Sequence, residues 1–278
     1  MTAAPLSPSL DPALLAELAA IASAAARSTG TLIRELREDG VSVAASKSSA
    51  TDIVTLADRE AEAHLVRALQ AARPDDGILG EEGAGIAGTS GITWVVDPID
   101  GTVNYAYGLP LYSVSVAATV ADPGATADGR RAVAGAVSAP RLDEHFEAWE
   151  GGGARLNGRP IGISGATELG MSLVATGFGY TVERRTEQAE MAARLIPQAR
   201  DLRRLGSAAY DLCSFAAGRI DAYYERGLQP WDYAAGLLIA REAGGAVEGR
   251  DAATPPGEPL VFAAAPGLID ELRRVVLG

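Results

Sequence analysis

The chain is 278 residues long, and what it has little of removes several classes of function. It holds one cysteine, Cys213, so no disulfide can form within it and a reducing compartment is expected. Histidine occurs twice, at His64 and His145, with no partner motif around either, so surface or boundary roles are expected for both. Lysine occurs once, at Lys47, and the other basic residues are arginine. No apolar run reaches the length of a membrane span, and the first residues lack the basic and apolar regions of a signal peptide. The expected location is therefore the cytoplasm. Positive charge is the scarcer sign. The 24 Lys and Arg against 36 Asp and Glu leave a net −12 at pH 7. That balance opposes binding to nucleic acid or to an anionic membrane.

What is present is ordinary for an enzyme. Hydrophobic residues make up 47% and charged residues 22%, enough for a substantial core in one large domain or two packed ones. Asp11-Pro12 reads as the N-cap and first residue of a helix to about Arg37, with Leu14, Leu15, Leu18, Ile21, Ala22 and Ala25 at helical spacing. Gly40 ends it. A second helix is expected from Thr55, as N-cap, to Arg73, with Asp58 in its first turn, where an acid also complements the helix dipole. Strands are expected at 77–80, 92–96, 112–120, 132–138 and 144–150, forming a largely antiparallel sheet with a hairpin loop at 122–130. After Gly151-Gly152-Gly153 the pattern becomes alternating. Strands are expected at 172–175, 200–204, 220–224 and 260–262, and helices at 183–196, 208–217, 231–243 and 268–276. The expectation is α/β architecture, with an N-terminal α+β unit at 1–150 and a C-terminal α/β unit at 151–278.

One stretch organises the chain, Trp94-Val95-Val96-Asp97-Pro98-Ile99-Asp100-Gly101-Thr102. A buried apolar strand is expected to stop at Pro98, which cannot donate to a ladder. It delivers two carboxylates three residues apart, then a glycine and a hydroxyl that can open a helix. Carboxylates suit hard divalent cations, and helix N–H groups suit phosphate. Alone, Asp-Pro-x-Asp-Gly is also good turn chemistry. Ile99 excludes the Asp-x-Asp-x-Thr pattern of aspartyl-phosphate enzymes. With Ile99 and Gly108 at the third and twelfth positions, an EF-hand is excluded too.

Cys213 and Arg219 match Cys-x5-Arg, the phosphate loop of thiol phosphatases. That loop needs its thiolate at a strand-to-helix turn, whereas Cys213 falls among Ala209, Leu212 and Ala216 midway along an expected apolar helix. Core packing is the expected role. The acids Glu82, Asp97, Asp100 and Asp232 instead each follow a short strand or begin a helix, where α/β sheets gather ligands.

The chain also carries Gly80-Glu81-Glu82, the Trp94 to Asn104 block, and Trp231-Asp232-Tyr233-Ala234-Ala235-Gly236. Lys47-Ser48-Ser49, Asp52, Thr55 and Asp58 precede them, and Arg204-Leu205-Gly206-Ser207-Ala208-Ala209 and Asp221-Ala222-Tyr223-Tyr224-Glu225 lie in the second half. In this order, over roughly residues 40–265, the chain resembles the inositol monophosphatase family. The resemblance implies a layered αβαβα sandwich of the sugar-phosphatase type, usually a homodimer, that hydrolyses a small phosphate monoester with two to three Mg²⁺ ions. It implies that Glu82, Asp97 and the Ile99 carbonyl hold the first ion, that Asp97, Asp100 and Asp232 hold the second, and that Glu82 helps order a third. Gly101 and Thr102 N–H groups would bind phosphate, and the Thr102 hydroxyl, polarised by Asp58, would orient a metal-activated water. Asp100, Ala208 and Glu225 would contact substrate, with Glu225 taking sugar hydroxyls. Inositol 1-phosphate is the substrate implied, with lithium sensitivity expected. The segment Thr176-Gly177-Phe178-Gly179-Tyr180 departs from the smaller polar wall of animal relatives, which keeps histidinol phosphate, fructose bisphosphate and nucleotide phosphates open. Some relatives associate with the transcription machinery, so a regulatory interaction protein is the non-enzymatic alternative.

Overall fold

Asp11 begins the first helix as its sequence directs, its carboxylate accepting the Ala13 N–H at 2.7 Å. The computed structural model describes residues 10–38, 43–46 and 53–278, with 43–46 and 53–55 described by backbone alone. The N-terminal tail, Gly40, Lys47, Asp52 and the Thr55 side chain lie outside the described residues.

Helix α1 (Pro12–Glu38) leads into a two-stranded ribbon, β1 (Val43–Ser46) and β2 (Ile53–Thr55), and helix α2 (Leu56–Ala72). Then come β3 (Gly77–Gly80), β4 (Gly85–Ile86), β5 (Ile92–Asp100), the short helix α3 (Thr102–Tyr107), β6 (Ser113–Ala121), β7 (Arg130–Ala139), β8 (Glu144–Trp149), β9 (Gly153–Leu156) and β10 (Arg159–Pro160). A single 3₁₀ turn (Leu169–Met171) precedes β11 (Leu173–Thr176), α4 (Val182–Leu195), β12 (Asp201–Arg203), α5 (Ala208–Ala216), β13 (Ala222–Arg226) and α6 (Pro230–Glu242). The chain closes with β14 (Ala246–Glu248), β15 (Leu260–Ala264) and α7 (Ile269–Leu277).

These elements stack as five layers, α–β–α–β–α, as expected. α1 and α2 cover one face of an eight-stranded sheet ordered β10-β9-β8-β7-β6-β5-β3-β4. Leu18, Ile33, Leu65, Trp94, Val114 and Val116 fill that seam. α5 and α6 cover the other face over Val95, Val137, Phe146, Ala235 and Ile239. The same two helices lie on a five-stranded sheet, β12-β11-β13-β15-β14, over Leu212, Phe215, Tyr223, Leu237 and Val261. α4 and α7 close its outer face around Leu195, Phe262, Leu272 and Val276. α5 and α6, apolar nearly all round, are the shared middle layer, as the burial of all nine α5 residues requires.

Three departures from expectation have physical causes. β5 does not stop at Pro98. It runs to Asp100, with the ladder shifting register between Asp97 and Asp100 and leaving residues 98 and 99 out of the pairing. The large sheet continues through β9 and β10 to Pro160, past the expected division at residue 150, because the tight turn at Asn157-Gly158 adds one more hairpin. His145 is 2% exposed rather than at a surface. Its ring Nε2 meets Ser23 Oγ at 2.8 Å, and that hydroxyl donates to Glu147.

Trp94 shows how the first seam is fixed. Its indole N–H donates to Asp76 Oδ2 at 2.9 Å, and the same buried carboxylate accepts from Arg73 Nε at 2.9 Å and Ser90 Oγ at 2.6 Å. Replacing Asp76 strands the buried indole donor and leaves Arg73 only its bond to Glu17. Asp76→Ala should therefore lower unfolding free energy by about 3 kcal/mol in a denaturant titration. A loss under about 0.5 kcal/mol would show that the network carries no weight.

Candidate active site

The site forms where the bulge in β5 meets the ends of neighbouring elements. β3 and β5 run parallel, with Gly80 paired to Val96, so the turn after β3 and Asp97 lie side by side. Glu81 lines the same cavity as Asp97, and its charge raises the proton affinity of the Asp97 carboxyl. The bulge turns the Ile99 N–H onto Asp97 Oδ1 at 3.0 Å. Gly101 follows at φ +97°, a conformation that favours glycine, and a Cβ there would stand 2.9 Å from the Gly206 carbonyl oxygen. α3 then opens at Thr102, whose hydroxyl lies 3.2 Å from Asp58 Oδ1 and 3.1 Å from the Ile99 carbonyl oxygen. Asp58 is fully buried in the first turn of α2, so the dipole-complementing position and the contact with Thr102 coexist.

The second half of the chain supplies the opposite wall. Asp100 Oδ2 accepts from Ser207 Oγ at 2.6 Å and from the Ala209 N–H at 2.7 Å, docking the carboxylate on the first turn of α5. Asp232 caps α6, its Oδ2 accepting the Gln229 N–H at 2.7 Å, with Pro230 at the first helical position. Glu225 stands at the end of β13 and accepts the Tyr223 hydroxyl at 2.7 Å. Asn104 of α3 donates to the Leu111 and Leu205 carbonyls at 2.6 and 2.8 Å, tying the phosphate-type turn to the segment that leads into α5.

A cavity of about 380 Å³ collects these groups, lined by Glu81, Asp97, Ile99, Asp100, Gly101, Thr102, Ala208, Glu225 and Asp232. The 177–181 segment and Arg184, Arg204 and Arg226 line it as well. Burial, then the Glu81, Asp100 and Asp232 charges, push Asp97 well above the usual carboxylate range. Burial and the Glu81 charge do the same to Asp232. Burial lifts Asp100 to about 6 despite the Ser207 and α5 hydrogen bonds that pull it down. Glu225 rises to about 7 through burial, opposed by the Tyr223 bond and the Arg204 charge.

Of the two adjacent acids, Glu81 lines the cavity and Glu82 does not. Glu82, the acid expected in the site, is outside the cavity, and Glu81 stands in its place there. The cause is Glu62 of α2, which takes the Glu82 N–H at 2.8 Å and the Ala84 N–H at 3.0 Å and so fixes which way the turn faces. Sequence reasoning missed Glu62, four residues after Asp58 on one helix face, a spacing that carries the signal. It also missed Ser207, an N-cap serine before an apolar run, and Tyr223. Ala208, expected to contact substrate, is among the residues that line the cavity. The decoys stay outside the chemistry. Cys213 is fully buried in α5 with its thiol pushed well up by burial, and Arg219 is bonded to Glu144. His64 lies against Ser28 on the surface.

Among the described residues no three acids already converge as a coordination set, since Asp97 and Asp100 turn part of their oxygens to internal donors. The donor chemistry fits a hard divalent cation even so. Five carboxylates and the Ile99 carbonyl share a cavity, and the Glu81 and Asp100 charges raise the proton affinity of Asp97 and Asp232, which a bound cation reverses.

That electrostatics sets a pH dependence. The folded, metal-free chain holds protons on Asp97, Asp100, Asp232 and Glu225 that the unfolded chain has released by about pH 5. Stability is thus lost as pH rises from about 4 through 6 and 7, the folded values of Asp100 and Glu225. In chelator, the Tm should fall between pH 5 and pH 8, by on the order of a few kcal/mol of stability. Millimolar Mg²⁺ should restore it at pH 8, and Asp100→Asn with Asp232→Asn should flatten the profile. An unchanged Tm across that range, indifferent to metal, would remove the buried-charge account.

The family model for the inositol monophosphatase family matches residues 14–274. The chain is 48% identical over 243 residues to an inositol-1-monophosphatase of Mycobacterium bovis, covering 84% of this chain and 81% of that protein. It is 40% identical over 229 residues to the Nus factor SuhB of Escherichia coli, covering 82% and 83%. Among solved structures, the inositol monophosphatase of Anabaena has a TM-score of 0.80 at 34% identity, covering 95% of this chain and 96% of its own. SuhB of Mycobacterium tuberculosis has a TM-score of 0.78 at 43% identity, covering 94% and 96%. With the layered fold and the carboxylate cavity already in place, these matches establish that the chain belongs to the inositol monophosphatase family of phosphatases.

Proposed function

We propose that the protein is a Mg²⁺-dependent phosphomonoesterase that hydrolyses inositol 1-phosphate or a similar small polyol phosphate. The observation that carries this reading is what one cavity brings together. Glu81, Asp97, Asp100, Asp232 and the Ile99 carbonyl line it, and Glu225, from the other sheet, lines it as a further acceptor. Held by the first five groups, two to three cations would neutralise the phosphoryl oxygens and acidify an attacking water.

The chain's own groups do the rest. Gly101 and Thr102 present the opening of α3 to the phosphoryl oxygens. The Thr102 hydroxyl donates to Asp58 Oδ1, which leaves its lone pairs free to accept a hydrogen bond from the attacking water; as the water's proton passes to the hydroxyl, the hydroxyl's own proton passes to Asp58. Asp58 thus orients that hydroxyl and is the final acceptor of the proton. Ser207 and the α5 N–H groups keep Asp100 turned toward the cavity floor. Glu225 accepts the polyol hydroxyls, an interaction a neutral leaving group without hydroxyls cannot make. The E. coli relative bears the name Nus factor, but the complete acid set supports catalysis here.

Thr102 and Asp58 should behave as one unit. Thr102→Ala should lower kcat by about 10²–10⁴, Asp58→Asn by a similar amount, and the double variant by no more than the larger single loss. Multiplying losses in steady-state assays would mean that Asp58 serves α2 alone.

A panel of phosphate monoesters tests the substrate. Hydrolysis of inositol 1-phosphate should stop in chelator. A charge-assisted hydrogen bond to Glu225 is worth about 1.5–3 kcal/mol. Glu225→Gln should therefore lower the ratio of kcat/KM for inositol 1-phosphate to that for p-nitrophenyl phosphate by about 10- to 100-fold. An unchanged ratio would transfer the assignment to histidinol phosphate or fructose 1,6-bisphosphate.

A further inference from the structure

Gly177 is a glycine whose backbone does not need one. Its φ lies outside the left-handed region, so an alanine fits the local conformation without strain. Space is the constraint. A Cβ built at Gly177 would lie 2.1 and 2.2 Å from the two Glu225 carboxylate oxygens and 2.3 Å from their carbon.

The topology explains the closeness. β11 and β13 are adjacent parallel strands, paired Val174 to Ala222, Ala175 to Tyr223 and Thr176 to Tyr224. Gly177 and Glu225 come one step later, at the C-terminal edge where the cavity opens.

Neither segment is free to yield. Gln188 of α4, 2% exposed, accepts the Gly179 N–H at 2.7 Å and donates to the Arg226 carbonyl at 3.1 Å, clamping both strand ends together. Arg185 donates to the Gly179 carbonyl at 2.8 Å. On the Glu225 side, the fully buried Tyr223 holds Oε2.

We infer that Gly177 is a positioning residue for substrate selection: its missing side chain is the slot that lets Glu225, held by Tyr223, present its carboxylate to the alcohol half of the substrate. The inference rests on the reading of Glu225 as a polyol acceptor. A side chain at 177 pushes the carboxylate off Tyr223 and away from the polyol. The metal-binding acids stand on other elements, so the effect falls on the choice of alcohol.

The test uses the full chain with Mg²⁺, inositol 1-phosphate and p-nitrophenyl phosphate, and a crystal structure of Gly177→Ala. Wild type should hydrolyse both esters. Gly177→Ala should lower the kcat/KM ratio of inositol 1-phosphate to p-nitrophenyl phosphate by about 10- to 100-fold, mainly through KM. Its crystal structure should show the Glu225 carboxylate moved by about 1 Å or more, the distance from clash to ordinary contact. Tyr223→Phe should lower the ratio in the same direction. Gly177→Ala with Glu225→Asp should recover part of it, since the shorter acid withdraws from the new methyl. Equal loss on both esters, or an unmoved Glu225 with an unchanged ratio, overturns the inference. Wild type that hydrolyses p-nitrophenyl phosphate but not inositol 1-phosphate overturns the substrate reading instead. The carboxylate displacement in the crystal then still decides the slot.

Discussion

Bringing several carboxylates to one point is the constraint on which this structure depends. Like charges in a poorly hydrated cavity repel, and burial alone disfavours each ionised form. The fold holds them by giving each acid a local anchor before it meets the others. Asp97 is held by the N–H of its own bulge. Asp100 sits on the first turn of α5, and Asp232 caps α6. Glu81 hangs on a turn that Glu62 braces. For Asp97, Asp100 and Asp232 the anchor is a backbone N–H that a helix start or bulge leaves unused, so the geometry that begins or interrupts an element also restrains an acid.

These anchors require the middle layer. α5 and α6 are buried between two sheets, so their N-terminal ends are fixed relative to both. The first sheet contributes Glu81, Asp97 and Asp100, and the second contributes Glu225, each at a strand end. Asn104 spans the gap with its two bonds to Leu111 and Leu205. A cavity assembled in this way senses any shift between the layers, because Asp100 belongs to one sheet and its partners Ser207 and Ala209 to the helix above it.

Most of the element order was legible because periodicity and punctuation agree. α1 begins at Asp11-Pro12, β3 occupies 77–80 as expected, and α6 begins within one residue of Trp231. The β5 boundary was not legible. Proline marks the end of regular pairing, and the chain used that interruption as a bulge instead of a terminus. That Asp97, Asp100, Thr102 and Asp232 meet in one cavity was legible because their spacing relative to the strand and helix starts is short and rigid. The choice between Glu81 and Glu82 was not. Adjacent residues on a turn point in opposite directions, and what decides between them is Glu62, twenty residues away from Glu82. His145 was misplaced for a similar reason. Its hydrogen-bond partner Ser23 comes from α1, 122 residues earlier, and no local pattern announces it.

Gly80 and Gly177 extend that lesson to residues that sequence reading treats as punctuation. Both have φ outside the left-handed region, so neither is demanded by a turn. A Cβ on Gly80 would lie 2.2 Å from Glu62 Oε2, just as one on Gly177 would collide with Glu225. In each case a glycine stands at the end of a strand or one residue past it, and a carboxylate from another element fills the volume a side chain would take. One carboxylate braces the turn that presents Glu81, and the other lines the cavity. Glycine at the end of a short buried strand here marks the place where a functional acid is packed against the backbone. Its signal in sequence is the pairing of such a glycine with an acid that has no other reason to be buried.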